Sequence, residues 1–360
     1  MRYAIYAAVL IQALLLSYMM VPILIRLAFA FDVTDKPGQR KVHQQAKPLL
    51  GGVAIFFSFF ATIVVDVVIL VLLRETGFVQ GTFQTVYTLL PRIMRVLPIL
   101  VTVLIGGFLI HLLGLIDDIY KEKLTYKPKF LAQFFITVLV VLLGVRTHFM
   151  PGNWLDILVS IIWIVGVTNS FNLLDNLDGL TAGVSVVSAL IFGIVALLQG
   201  QTFMVFILLA LAGAACGFLL HNFHPSKLFM GDSGSLFLGY MFACLTILGT
   251  YIVPSTPSLV PVAMPLLILS IPLYDTFSVM FIRWRENRPL FEGDKRHFSH
   301  RLLDLGMSHR QAVIFIYLVS FCVGIAASLL PYVSVTGSIV LLIQAALIYV
   351  LITILIAIKK

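Results

Sequence analysis

Eleven apolar runs, each about as long as a bilayer-crossing helix, account for most of this chain. They cover residues 3–28, 51–73, 96–116, 130–147, 154–172, 180–199, 203–222, 236–252, 261–281, 311–331 and 336–358. A water-soluble fold of this size needs charge to cover its surface, about 25% of residues in ordinary usage; here the figure is 11%. The expected fold is therefore all-α, a polytopic integral membrane protein with about eleven transmembrane helices forming a single domain over residues 1–360. Ala28-Phe29-Ala30 imitates a signal-peptidase site. The apolar stretch before it is too long for a signal peptide and is interrupted by Pro22 and Arg26, so it reads as a span. Cys216, Cys244 and Cys322 all lie in apolar runs, which excludes a disulfide framework or zinc site and leaves them as packing residues.

Sidedness follows from the excess of Lys and Arg in cytoplasmic loops. An odd number of spans divides the loops into two sets. Loops 29–50, 117–129, 173–179, 223–235 and 282–310, with the C-terminal tail, hold 18 of the 24 Lys and Arg. This set is expected to be cytoplasmic and the N-terminus to face outward. Of the 16 acidic residues, only Asp66, Glu75 and Asp156 lie away from these loops and the adjoining helix ends. The orientation rule does not demand that, because carboxylates contribute little to it. Polar residues also collect in such loops by simple exclusion from the spans, so the individual motifs must decide.

Four of these loops carry chemistry. In "GLIDDIYKEKLTYKPKF", Asp117 and Asp118 end an apolar run. Asp117 pairs with Lys121 at i,i+4, which suits a surface ion pair; two adjacent carboxylates equally suit Mg²⁺ with its waters or a phosphate-bearing substrate. In "NSFNLLDNLDGLTAG", Asn169, Asn172, Asp175, Asn176 and Asp178 crowd ten residues, more than a helix end requires, and suit a nucleobase or ribose. In "HNFHPSKLFMGDSGS", Gly231 and Gly234 bracket Asp232 and let backbone approach a ligand. Ser233 and Ser235 open the next helix, whose amino end favours anions. Its Gly-Asp-Ser-Gly also occurs around trypsin-like serines, but a helical membrane chain lacks their β-barrel context. In "RWRENRPLFEGDKRHFSHRLLDLGMSHRQAV", His297, His300 and Arg301 share a helical face, and in the absence of a thiolate or third histidine they suit phosphate better than metal. Arg283 and Arg285 suit an anchor on anionic lipid.

"GLIDD", "NLLDNLDGL", "FMGDSGS" and "HFSHRL", in this order between apolar spans, closely resemble the polyprenyl-phosphate N-acetylhexosamine-1-phosphate transferases. "DKPGQRKVHQQAKPLLGG" is similar to that family's first cytoplasmic loop, and "PLYDT" to a later span. The resemblance covers nearly the whole chain; each motif is weak alone and specific in combination. It implies ten or eleven helices, often dimeric, around a cytoplasmic cleft. There a UDP-sugar gives up its sugar 1-phosphate to a polyprenyl phosphate and UMP leaves, with Mg²⁺ or Mn²⁺ as cofactor. It implies Asp232 as the metal ligand and Asp117 and Asp118 beside metal and lipid phosphate, one of them a possible base. Asn172, Asp175 and Asp178 fall on the nucleotide side, Asn222 and Phe229 facing uridine, and His297, His300 and Arg301 at the diphosphate or lipid phosphate.

Asn176 stands where that family commonly has glycine. "RHFSHRL" lacks the His-His-His-Phe-Glu pattern of the phospho-N-acetylmuramoyl-pentapeptide transferases, which favours the branch using simple UDP-N-acetylhexosamines in envelope polysaccharide or teichoic acid assembly. The pentapeptide activity is the near alternative; an ion-coupled transporter is the alternative of a different class. Intramembrane carboxylates mark proton relays, but only Asp66 lies mid-span, with no evident partner. An intramembrane aspartyl protease, suggested by "LYD" and "MGD", would need these in the opposite order and a glycine where Phe229 stands. No nucleic acid is expected as a partner.

Overall fold

The computed structural model describes residues 2–36, 46–72, 90–120, 125–249, 251, 260–289 and 296–358. Every apolar run becomes helical, because in lipid a helix satisfies its own backbone hydrogen bonds. The helices are α1 (Arg2–Ala30), α2 (Gly51–Leu72), α3 (Leu90–Tyr120), α4 (Tyr126–Leu142), α5 (Asn153–Leu174), α6 (Leu180–Leu198), α7 (Thr202–Asn222) and α8 (Gly231–Leu248). After them come α9 (Met264–Ile268), α10 (Ser270–Arg285), α11 (Phe298–Asp304), α12 (His309–Ala327) and α13 (Val335–Ile358).

Among the described residues, nine helices are long and apolar enough to cross a membrane. The segment 260–268 and α10 make a tenth span if taken together across their 76° bend. The 17 residues of α4 stand at the lower limit of a bilayer span, about 17–25 residues. The eleven apolar runs thus resolve into nine long helices, one bent pair and one short helix.

The axis of the bundle is α8, which packs against α2, α3 and α5 and is 78% buried along its span. At the other extreme, α13 is 17% buried and turns Ile339, Ile343 and Leu347 outward. Helices in lipid associate by close packing rather than by escape from water. The α1–α7 pair does so through Gly213 and Gly217, four residues apart, where a Cβ would come within 2.2 Å of the Leu10 and Leu14 carbonyl oxygens.

Two polar residues far from the acidic loops have local structural partners. Asp66 of α2, which lacks an evident partner in the sequence, has Gln12 of α1 as its polar neighbour. Asp156 accepts from Thr147 Oγ1 at 2.8 Å and from the Met150 N–H at 3.2 Å, stapling the turn before α5. Glu75 lies outside the described residues. The three cysteines are free thiols.

A short ladder prepares the functional end of the bundle. Strand β1 (Thr34–Asp35) pairs antiparallel with β2 (Lys47–Pro48). Beyond it the Phe229 N–H donates to the Pro48 carbonyl at 2.8 Å, and the Gly51 and Gly52 N–H groups donate to the Phe229 and Met230 carbonyls at 3.0 and 2.7 Å. The segment entering α8 is thereby bound to the start of α2.

Candidate active site

Asp117 and Asp118 fall in the last turn of α3 rather than in a loop, and Asp232 lies in the first turn of α8. The two ends meet through Asp118, buried at 6% exposure. Its two oxygens accept the backbone N–H groups of Asp232, at 2.8 Å, and Ser233, at 3.0 Å. A carboxylate there satisfies two amides that the helix leaves unpaired and complements its dipole. Gly231 makes the approach possible. Its φ is +71°, and a Cβ would lie 2.5 Å from Asp118 Oδ2.

Asp232 faces the other way. Asn172, two residues before the end of α5, donates from Nδ2 to Asp232 Oδ1 at 2.9 Å and to Ser235 Oγ at 3.0 Å. Lys129 of α4 donates to Asp232 Oδ2 and, at 3.1 Å, to Asp117 Oδ2. Asp117, Asp118, Asp232 and Asn172, singled out in the sequence, are thus brought together. Lys129 was missed there, being one of four lysines in a basic loop. The available signal was periodicity: Lys129, Gln133 and Thr137 repeat every four residues on one face of an otherwise apolar helix, and Gln133 Oε1 accepts from Asn169 Nδ2 at 3.1 Å. Lys121, the expected partner of Asp117, lies outside the described residues.

The turn after α5 carries Asp175 and Asp178. Burial, with the charges of Asp118 and Asp178, pushes the Asp175 carboxyl up to about 7. Asp178 accepts from Ser226 Oγ at 3.0 Å and the Ser226 N–H at 3.1 Å, and His224 Nδ1 lies 2.9 Å from it. Asn222 accepts the Gly179 N–H at 2.9 Å and donates to the Leu228 carbonyl at 2.8 Å. Asp178 and Asn222 therefore bind this turn to the 223–230 segment. Phe229, expected to face uridine, is half-buried, and its backbone carries the ladder to β2 and α2.

The basic motif forms its own helix, α11, with His297 as N-cap. Asp275 of α10, 1% exposed, accepts from His297 Nδ1 at 2.7 Å and from the Phe298 N–H at 2.5 Å. Arg301 Nη2 donates to Ser278 Oγ at 2.6 Å. The Arg301 Nε–H is buried with no hydrogen-bond partner, an arrangement a phosphate would complete. Burial lowers the pKa of His300, and the neighbouring His297 adds to the shift.

Asp232 and Asp275 are each engaged by separate partners, Asn172 and Lys129 for the first and His297 and Phe298 for the second. Among the described residues no three His, Cys, Asp or Glu side chains form a ready-made metal cage. Asp117 and Asp232 nevertheless direct one oxygen each at a common cation, Lys129 Nζ. Two carboxylates at a partly open site fit Mg²⁺, which typically takes one or two and completes its shell with water and substrate phosphates.

Fold and site define a multi-pass membrane protein whose bundle gathers carboxylates, amides and cations at the ends of α3, α5 and α8. The chain belongs to glycosyl transferase family 4, whose model matches residues 100–250. It is 34% identical over 329 residues to the probable undecaprenyl-phosphate N-acetylglucosaminyl 1-phosphate transferase of Bacillus subtilis, covering 89% of this chain and 83% of that protein. Identity to the decaprenyl-phosphate N-acetylglucosaminephosphotransferase of Mycolicibacterium smegmatis is 31% over 319 residues, 81% of this chain and 74% of the relative. The phospho-N-acetylmuramoyl-pentapeptide-transferase of Staphylococcus saprophyticus is 29% identical over 263 residues, 66% of this chain and 74% of the relative.

Proposed function

We propose that this chain transfers N-acetylglucosamine 1-phosphate from its UDP-sugar to undecaprenyl phosphate, releasing UMP at the cytoplasmic face of the cell membrane and initiating an envelope polysaccharide or teichoic acid. The observation that carries the reading is the convergence of Asp117, Asp118 and Asp232 with Asn172 and Lys129 at one end of a membrane bundle. Similarity to the Bacillus and mycobacterial transferases supplies the substrate class. The basic loops flanking this end supply the cytoplasmic orientation.

In the reaction an oxygen of the lipid phosphate attacks the sugar-bearing phosphorus in line. The bond from that phosphorus to the oxygen shared with UMP breaks, and UMP leaves with its electron pair. A phosphate monoester is mostly dianionic at pH 7, its second pKa being about 6, so the attacking oxygen needs little help from a base. Catalysis rests on positioning and electrostatics. Asp118 fixes the amino end of α8, Asn172 fixes the rotamer of Asp232, and His300 and Arg301 present N–H donors to an anion. A Mg²⁺ or Mn²⁺ ion held by Asp232 with Asp117 would neutralise charge on the diphosphate and leaving UMP.

The test is UMP release by the detergent-solubilised full chain, given undecaprenyl phosphate and one UDP-sugar at a time. UDP-N-acetylglucosamine should support turnover that EDTA stops and that Asp232→Asn abolishes. Turnover with UDP-N-acetylmuramoyl-pentapeptide instead would move the chain to the other branch, and no release with any donor would refute the reading.

A further inference from the structure

The ammonium of Lys129 lies where a divalent cation would have to lie. It contacts Asp232 Oδ2 and stands 3.1 Å from Asp117 Oδ2, the oxygens that two acidic helix ends turn toward each other. Among the described residues it is the cation that pairs with Asp117 and Asp232; Asp118 has spent its oxygens on backbone amides. We propose that Lys129 is the site's internal counter-cation, which neutralises Asp117 and Asp232 until a divalent ion displaces it. This goes beyond the proposed transfer and rests on its requirement for a metal.

The exchange follows from shared atoms. A Mg²⁺ ion binds carboxylate oxygens at about 2 Å, so an ion on the same two oxygens leaves no room for an ammonium between them and repels it. The side chains are 19% exposed for Lys129, 26% for Asp117 and 27% for Asp232, enough for water and ions to reach the site. The stem of Lys129 is a flexible chain anchored in the first turn of α4, so its head can leave without the helix moving. The carboxylates are held in place meanwhile, Asp232 by Asn172. Displaced, the ammonium is free to face the phosphates that arrive with the ion. Such an occupant lowers apparent metal affinity by the fraction of molecules in which the site is open.

The experiment titrates Mn²⁺, read as loss of the free-ion paramagnetic resonance signal, into the solubilised full chain and its Lys129→Met variant. The variant is expected to bind Mn²⁺ about tenfold more tightly than the parent. It is also expected to melt at a lower temperature in EDTA and to gain more than the parent from added Mn²⁺. Lys129→Gln carries the same test should the Met variant not hold its fold. Unchanged or weaker binding in the variant would overturn the exchange. If Asp232→Asn still abolished binding to the parent, that result would leave the metal reading standing. No specific Mn²⁺ uptake by the parent would take down both.

Discussion

Asn176 Oδ1 accepts a 2.5 Å hydrogen bond from Ser299 Oγ, across 123 positions of the chain. Four residues earlier, Asn172 holds Asp232. The end of α5 is therefore the joint between the acidic cluster and the basic helix α11. Asn176→Gly, which installs the glycine common in the family this chain resembles, should cost about 1 kcal/mol, the net worth of an ordinary hydrogen bond. Ser299→Ala should cost a similar amount, and the double variant little more than either, since contacting partners are not additive. Thermal unfolding of the four proteins in detergent checks this; strictly additive losses would mean that the two side chains do not act together.

The adjacent aspartates should behave differently. Asp118 accepts two backbone amides, so Asp118→Asn turns an amide donor toward N–H groups and should cost about 1–3 kcal/mol of stability as well as activity. Asp117→Asn leaves those bonds intact and should change stability by no more than about 0.5 kcal/mol while suppressing UMP release. Melting temperature and turnover measured on both variants separate anchor from site; equal stability losses would contradict the assignment.

Gly231→Ala tests the geometry that joins them. An alanine at φ +71° costs about 1–2 kcal/mol in backbone strain, and its Cβ would press on the Asp118 carboxylate. The variant should therefore lose turnover as fully as Asp118→Asn does. A Gly231→Ala protein with parental UMP release would show that Asp118 does not need its present position.

How much of this was visible beforehand depends on the range of the interaction. The spans were legible because about 20 apolar residues in a row admit few other structures. Asp117, Asp118, Asp232 and Asn172 stood out as polar groups at the mouths of those spans. The sequence could not say that Asp118 faces backbone, because nothing local ties the end of α3 to the start of α8. Asp178 and Asn222 read as ligand groups for the same reason; their partners, Ser226 and Gly179, sit across a tertiary contact. Asp66 seemed alone because Gln12 lies on another helix. Lys129 was hidden by its neighbours, since one of four lysines in a basic loop does not stand out until the four-residue polar stripe on α4 is noticed.

Asp175 gives a pH dependence with a definite sign. Its carboxyl is raised from 3.8 to about 7, so the folded state keeps a proton that the unfolded chain gives up. Below pH 3.8 both states are protonated and Asp175 has no cost. As pH rises from there to about 7, the unfolded state loses its proton first and the folded state is progressively disfavoured. Asn cannot titrate, so Asp175→Asn removes this slope whatever else it changes. The melting temperature of the variant minus that of the parent should increase from pH 5 to pH 8 and level off above about pH 8. A difference that is flat across the range, or that shrinks as pH rises, would mean that Asp175 is already ionised in the folded protein and lies in a wetter site than its burial indicates.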